Sequence, residues 1–199
     1  ITIEGIGPDA SMNGWGIHFV CGTAAHAAGL GKSCEIRNIY FQNYPEDAFG
    51  AEGQQSGSTL TAPVERIWVH NNNFGPGYCK NPTDSDKAEG DGSCDFKRGQ
   101  YYTMAYNKYW DCHKTNLIGS SDSSLQYHMS MHHNYYENCM ARGPLARQGN
   151  IHMYNNVYIG QTDYAMNTRA NAYIFSEYNL LYMCKNPMRV DAGAIKSYN

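Results

Sequence analysis

Residues 151–158 read Ile151-His152-Met153-Tyr154-Asn155-Asn156-Val157-Tyr158, a short strand-like run whose asparagine is followed two positions later by a large side chain. The same grammar occurs six times, at Asn38/Tyr40, Asn72/Phe74, Asn107/Tyr109, Asn134/Tyr136, Asn156/Tyr158 and Asn179/Leu181, with intervals of 34, 35, 27, 22 and 23 residues. The runs are rich in Tyr, Ile, Phe, Val and Met and often alternate, so they read as strands. Intervals of 22 and 23 are too short for a strand plus a crossover helix and too regular for a sandwich with arbitrary loops. One coil of a solenoid per repeat fits, which makes the chain an all-β parallel β-helix.

Each coil of such a solenoid sets its strands about 4.8 Å above the last, so equivalent side chains stack into ladders. Asparagine suits an inward turn position because it tolerates the left-handed conformation and its amide can bond to the asparagine above. Cys112, Cys139 and Cys184 each follow their coil's asparagine by five positions, which predicts a second ladder in the same register. Variable period then means insertion, and the two longest coils carry residues 41–66 and 75–100. Loops inserted on one side of a solenoid commonly build its site.

Composition narrows the function classes. No Pro/Ser-rich or charge-block stretch divides the 199 residues, so residues 1–199 form one domain. A net charge of −3 gives no global attraction to nucleic acid or to an anionic membrane, so an acidic polymer would need a local basic cluster. No run approaches the ~18 apolar residues that span a bilayer. The chain opens directly on a strand-like segment, Ile1–Gly5, and is expected to be part of a longer precursor. Seven cysteines point to an oxidising, extracellular setting and hence to a secreted protein. Cys79 and Cys94 bracket a Gly-, Pro- and Asp-rich loop, where a disulfide is expected. A monomer is expected.

Two clusters carry chemistry. Asp47, Asp91 and Asp95 belong to neighbouring coils and are able to converge; hard oxygen donors without a His or Cys pattern select calcium. A solvated acidic loop that caps turns would give the same spacing, and Asp84, Asp86 and Glu89 lie close by. The basic counterpart is Lys114, followed by Arg142 and Arg147 in Arg142-Gly143-Pro144-Leu145-Ala146-Arg147. Lys114 and Arg142 follow consecutive repeat asparagines by seven and eight positions, which puts them one coil apart on one face. Such a row beside carboxylates suits an anionic sugar polymer, and surface ion pairing is the bland alternative. His128, His132 and His133 resemble a metal cluster, but 132 and 133 should point to opposite faces of a strand, so stacking or hydrogen bonding is the expected role.

At these residues the chain resembles family 1 of the polysaccharide lyases, the pectate lyases and their pectin lyase relatives. The resemblance runs through most of the chain. It rests on Ile3-Glu4-Gly5-Ile6-Gly7, Ile67-Trp68-Val69, the block Asp91-Gly92-Ser93-Cys94-Asp95-Phe96, the block 113–119, and above all on the pattern RxPxxR at 142–147 followed by HxxNN at 152–156. It implies a right-handed single-stranded parallel β-helix that cleaves α-1,4-polygalacturonate by β-elimination. It also implies Ca²⁺ on Asp47, Asp91 and Asp95, proton abstraction by Arg142, and uronate carboxylates held by Lys114 and Arg147. An arginine base needs nearby positive charge to disfavour guanidinium, so activity is expected to favour alkaline pH.

Departures from the family pattern are visible. Trp68-Val69-His70-Asn71 stands where many members carry Trp-[Val/Ile]-Asp-His, and Pro45 stands where some place another acid. Both ends look truncated relative to the family. Pectin lyase action on methylated polymer lacks a use for the three aspartates, hydrolysis by a β-helical polygalacturonase lacks a use for the Arg142/Lys114 row, and a non-catalytic polysaccharide-binding solenoid needs neither.

Overall fold

The computed structural model describes residues 1–22, 28–78 and 90–199, and the described residues form strands without helices. The strands stack in three parallel sheets, one strand of each per coil. The first sheet holds eight, from Thr2–Glu4 through Val64–His70, Gly99–Ala105, Gln126–His132 and Asn150–Tyr154 to Gly193–Tyr198. The second holds seven short strands, including Asn73–Phe74, Lys108–Trp110, Tyr135–Glu137 and Val157–Ile159. The third holds seven, including Phe49–Glu52, Cys94–Lys97, Leu117–Ile118, Leu145–Arg147 and Tyr164–Arg169. This is the right-handed parallel β-helix.

The repeat asparagines turn the chain from the first sheet into the second. Each Oδ1 accepts from both the backbone N–H and the amide of the asparagine one coil earlier: Asn107 from Asn72 at 3.1 and 3.3 Å, Asn134 from Asn107 at 3.1 Å in both bonds. The ladder continues through Asn156 to Asn179. Each amide also donates to a carbonyl of the neighbouring coil, as Asn134 does to Met104 at 3.0 Å. The ladder side-chain amides thereby find protein partners for both oxygen and nitrogen, which lets them lie inside the protein.

Two details of the expected ladder are corrected. Asn38 is not its first member: the N–H bonded to the Asn72 Oδ1 belongs to Ile39. Nor do the ladder asparagines adopt the left-handed conformation. That falls to the residue before each, Asn38, Asn71, Tyr106, His133, Asn155 and Tyr178, with φ between 50° and 58°.

Two residues beyond Ile39 and each ladder asparagine as far as Asn156 lies an aromatic ring, with Leu181 in that place after Asn179. Phe41, Phe74, Tyr109, Tyr136 and Tyr158 stack at 5.1, 4.8, 4.7 and 4.5 Å, with planes within 6° of parallel. All five are fully buried, and offset rings at this spacing add to the burial of their large apolar faces.

Cys112 and Cys139 form the second ladder in adjacent coils, but Gln161 stands in that row before Cys184. The six described cysteines are free thiols, and five of them are buried, so they serve as small apolar residues of the core. Cys79 lies outside the described residues; Cys94, its expected disulfide partner, is a free thiol inside the solenoid.

His132 and His133 do not point to opposite faces of a strand. His132 ends its strand and His133 occupies the left-handed turn position, so their Nδ1 atoms meet at 3.0 Å. His132 stacks on Tyr154 at 4.7 Å and His133 on Tyr106 at 4.8 Å. Of the long insertions, residues 54–62 form an antiparallel hairpin.

Candidate active site

The third sheet presents chemistry on its outer face because of strand alternation. In Cys94–Lys97, Cys94 and Phe96 fill the core, so Asp95 and Lys97 face outward. One coil earlier, Asp47 enters the same sheet just before Phe49–Glu52, and the bend at Asp91-Gly92 carries the next coil in above Cys94. A cleft of about 250 Å³ results, lined by Glu46, Asp47, Asp91 and Asp95 together with Lys97, Leu117, Ser120, Arg142 and Arg147. Of the six expected residues, Asp47, Asp91, Asp95, Arg142 and Arg147 line this cleft and Lys114 does not.

Asp47 and Asp95 flank Gly92. A Cβ built there would stand 2.5 Å from the Asp47 Oδ1 and 2.8 Å from the Asp95 Oδ1, so any residue but glycine would fill the space between these carboxylates. Burial raises the pKa of Asp47, and the Glu46 and Asp91 charges add to this while Lys97 opposes it. Burial raises that of Asp95 still further, with the Asp47 charge as the next cause. Two buried carboxylates that repel each other leave negative charge only partly balanced, and a hard cation would complete it. Asp91 is turned differently, its Oδ1 held by the Lys114 Nζ at 2.8 Å, and among the described residues no three acidic, His or Cys side chains converge on one point.

Lys97 compensates part of that charge, with its Nζ 3.6 Å from the Asp47 Oδ2. Burial disfavours its ammonium, but Asp95 and Asp47 prevail and raise its pKa. Sequence reading passed over it, although its place two residues after Asp95 on one strand puts both on one face. Lys114 is buried behind Asp91 rather than set along the cleft wall, with 5% of its surface exposed.

Arg142 owes its position to a register break. Lys114 lies opposite Ala141, 27 positions on, whereas Leu117 lies opposite Leu145, 28 positions on, so one extra residue is accommodated between. Such bulges re-aim a side chain. Arg142 takes the left-handed backbone with φ 67°, which no β-branched or bulky residue adopts without support. Support comes from the preceding coil, where the Thr115 hydroxyl and the Asn116 N–H donate to its carbonyl, and from the following coil, where the Ala165 carbonyl accepts from Gly143 at 2.7 Å.

Arg147 lies in the outward row of Lys97, opposite Arg169 of the next coil. It donates through Nε to Asp122 at 3.0 Å and through a terminal nitrogen to the Gly119 carbonyl at 2.8 Å. Burial lowers its pKa; Asp122 opposes that, and Arg169 and Arg142 reinforce it. Cations are thus crowded in the cleft beside the carboxylates, and an anionic ligand relieves such crowding.

The sequence pattern of the family described as "Pectate lyase" matches residues 1–194. The chain belongs to the pectate lyase family. A pectate trisaccharide-lyase of Bacillus licheniformis is 33% identical over 170 residues, covering 84% of this chain and 48% of that protein. Pectate lyase 3 of Pectobacterium atrosepticum is 31% identical over 179 residues, covering 85% of this chain and 46% of its own length. Among solved structures, a pectate lyase from Bacillus sp. N165 in complex with trigalacturonate superposes with a TM-score of 0.72 at 28% identity, over 88% of this chain and 50% of that one. The chain spans about half the length of the pectate lyases it matches.

The departure at Trp68-Val69-His70-Asn71 falls away from the cleft, on the first sheet. His70 there is packed against Trp68 at 3.7 Å and bonded to Glu35 at 3.0 Å and Asn71 at 2.7 Å, a set of contacts within and between coils.

Proposed function

We propose that this chain is the catalytic part of a calcium-dependent pectate lyase that cleaves α-1,4-polygalacturonate by β-elimination to unsaturated oligogalacturonates. The observation that carries the reading is the outward cleft that holds buried, mutually repelling carboxylates together with Lys97, Arg142 and Arg147. A uronate polymer is polyanionic, and its reacting proton lies next to a carboxylate.

Arg142 is the base. Held by its bulge at the cleft wall, it takes the proton from the carbon alpha to the uronate carboxylate; the electron pair forms the new double bond as the glycosidic C–O bond breaks. Negative charge develops on that carboxylate, and Lys97 and Arg147 are placed to stabilise it. Lys114 acts through Asp91 in this arrangement, fixing the carboxylate until substrate or cation draws either group into the cleft. Asp47 and Asp95 would hold Ca²⁺ between them, with Asp91 joining once its carboxylate leaves Lys114, and the ion when bound would supply positive charge to the substrate carboxylate beyond what the side chains provide. A polymer substrate outside the cell implies secretion, and the reading requires a monomer only.

The test is to incubate the protein with polygalacturonate and follow the near-ultraviolet absorbance of the unsaturated product. Wild type should form it and Arg142→Ala should not. Reducing ends released without that absorbance would mean hydrolysis and would end the lyase reading; preference for methylated polymer would favour pectin lyase.

A further inference from the structure

The outer face of the first sheet is notched where two successive coils carry short side chains. One outward row runs through Trp68, Thr103, Ser130, His152 and Phe175, each opposite the next in register. Thr103 and Ser130 are its two short members, so the row dips between Trp68 and His152. A trough of about 470 Å³ opens there, larger than the cleft on the third sheet and lined by none of the same residues. Two coils at a spacing of about 4.8 Å give it room for two pyranose rings end to end.

Aromatic rings line the trough. Tyr101 and His128 stack on each other at 5.1 Å with planes 11° apart, and His152 and Phe175 stack at 5.5 Å. Tyr101 and His128 both hold the left-handed backbone, with φ 58° and 55°, which disfavours a large side chain, yet Tyr101 is 49% exposed. Core packing therefore does not account for that ring. Tyr173 is a further exposed member. The polar lining includes the Thr103 and Ser130 hydroxyls and the Asn150 amide, and among the described residues no side-chain hydrogen bond engages these three. His152 is held in place through Nε2 by Glu177 at 2.6 Å. No Asp, Glu, Lys or Arg lines the trough.

We infer that this trough is a second saccharide site, one that takes uncharged pyranose units of a polysaccharide strand. A pyranose has an apolar C–H face that packs on aromatic rings and a rim of hydroxyls that needs both donors and acceptors. Tyr101, His128, Tyr173 and Phe175 supply the first; Thr103, Ser130 and Asn150 supply the second. Charge decides which sugar. A free uronate would give up the hydration of its carboxylate here with no Lys or Arg to replace it, so the site selects against the polyanion that the cleft is built for. Methyl-esterified galacturonan and neutral glycans both offer the uncharged ring. The inference stands on the first sheet alone and does not depend on the lyase reading.

Isothermal titration in the presence of a calcium chelator reads this site without turnover. The probes are a methyl-esterified galacturonan oligomer, a neutral galactan oligomer and an unesterified oligogalacturonate. Wild type should bind at least one uncharged probe saturably, and which one it binds identifies the source of the ring. Arg142→Ala should bind it equally, whereas Tyr101→Ala and Tyr173→Ala should each weaken it about ten-fold. Tyr101→Phe, which keeps the ring, should stay within about two-fold of wild type. Where Tyr101→Ala lowers the melting temperature, Tyr173→Ala, at an exposed strand position, carries the same test. Failure of wild type to bind either uncharged probe overturns the inference, as does binding that survives both alanine variants or is lost in Arg142→Ala. Unesterified oligomer bound as tightly as the uncharged probes, and weakened alike by Tyr101→Ala, overturns the uncharged assignment. A protein that binds as expected but forms no unsaturated product from polygalacturonate overturns the lyase reading alone.

Discussion

The asparagine ladder and the outward cleft are both buried and polar, and they differ in how well their groups are matched. In the ladder every donor has an acceptor one coil away, and the pattern repeats from Asn72 to Asn179 without a charge. In the cleft, Asp47 and Asp95 crowd together with their pKa values raised while Arg147 has its lowered, so both signs of charge are held where each is disfavoured. A fully matched polar network specifies and stiffens a fold. An unmatched one stores the free energy that a ligand of opposite charge releases, and so marks the site.

The comparison is broken most sharply at Arg142. Its replacement by alanine should leave the fold intact, as seen in an unchanged melting temperature, while activity falls on the order of 10³-fold or more. Asn134→Ala should do the reverse. It strips bonds to Asn107, Asn156 and Met104 inside the core. A loss of about 3 kcal/mol is expected, or a fall of about 6–12 °C in melting temperature, with the catalytic constants of the surviving folded fraction little changed.

The cleft's own contribution to stability has a definite sign. Asp47 and Asp95 bind protons more tightly folded than unfolded, so their contribution is fully present below about pH 4, the unfolded carboxylate range, and is lost as pH rises through the raised folded values. Without calcium, melting temperature should therefore decline as pH rises from 4 towards 8, and Asp95→Asn should flatten that decline. Calcium at a hundred times its dissociation constant should return about 2.7 kcal/mol at neutral pH to wild type, and little to Asp95→Asn. A wild type whose melting temperature ignores calcium, measured by differential scanning fluorimetry, would remove the cleft from the class of cation sites. The smallest effect is expected at Asn38, which the ladder excludes. Asn38→Gly should change stability by less than about 0.5 kcal/mol, since glycine accepts the left-handed turn at no steric cost.

How much of this could be read from sequence follows from the same contrast. The ladder was legible because a repeated contact leaves a repeated residue, and the spacing of Asn107, Asn134, Asn156 and Asn179 carried it. Its first coil was misread because Asn38/Tyr40 satisfies the same pattern as the true pair Ile39/Phe41, and only hydrogen bonding tells the two registers apart. The left-handed residues had only half a signature: asparagine holds the position at 38, 71 and 155, while tyrosine and histidine occupy it at 106, 133 and 178 because the stacked turn imposes the conformation.

Motif order brought five of the six expected residues to the cleft, with Lys114 behind Asp91, yet their arrangement was not legible. Lys97 and the pairing of Lys114 with Asp91 depend on which way side chains turn once coils stack. The disulfide expectation overlooked alternation: with Asp95 outward, Cys94 must face the core.

The most direct test of the account is a calcium titration of chelator-treated wild-type protein on polygalacturonate, with unsaturated product followed by absorbance. Product should be absent in chelator, rise with added calcium and saturate. Full activity in chelator, or none at any calcium concentration from a folded protein, would contradict it.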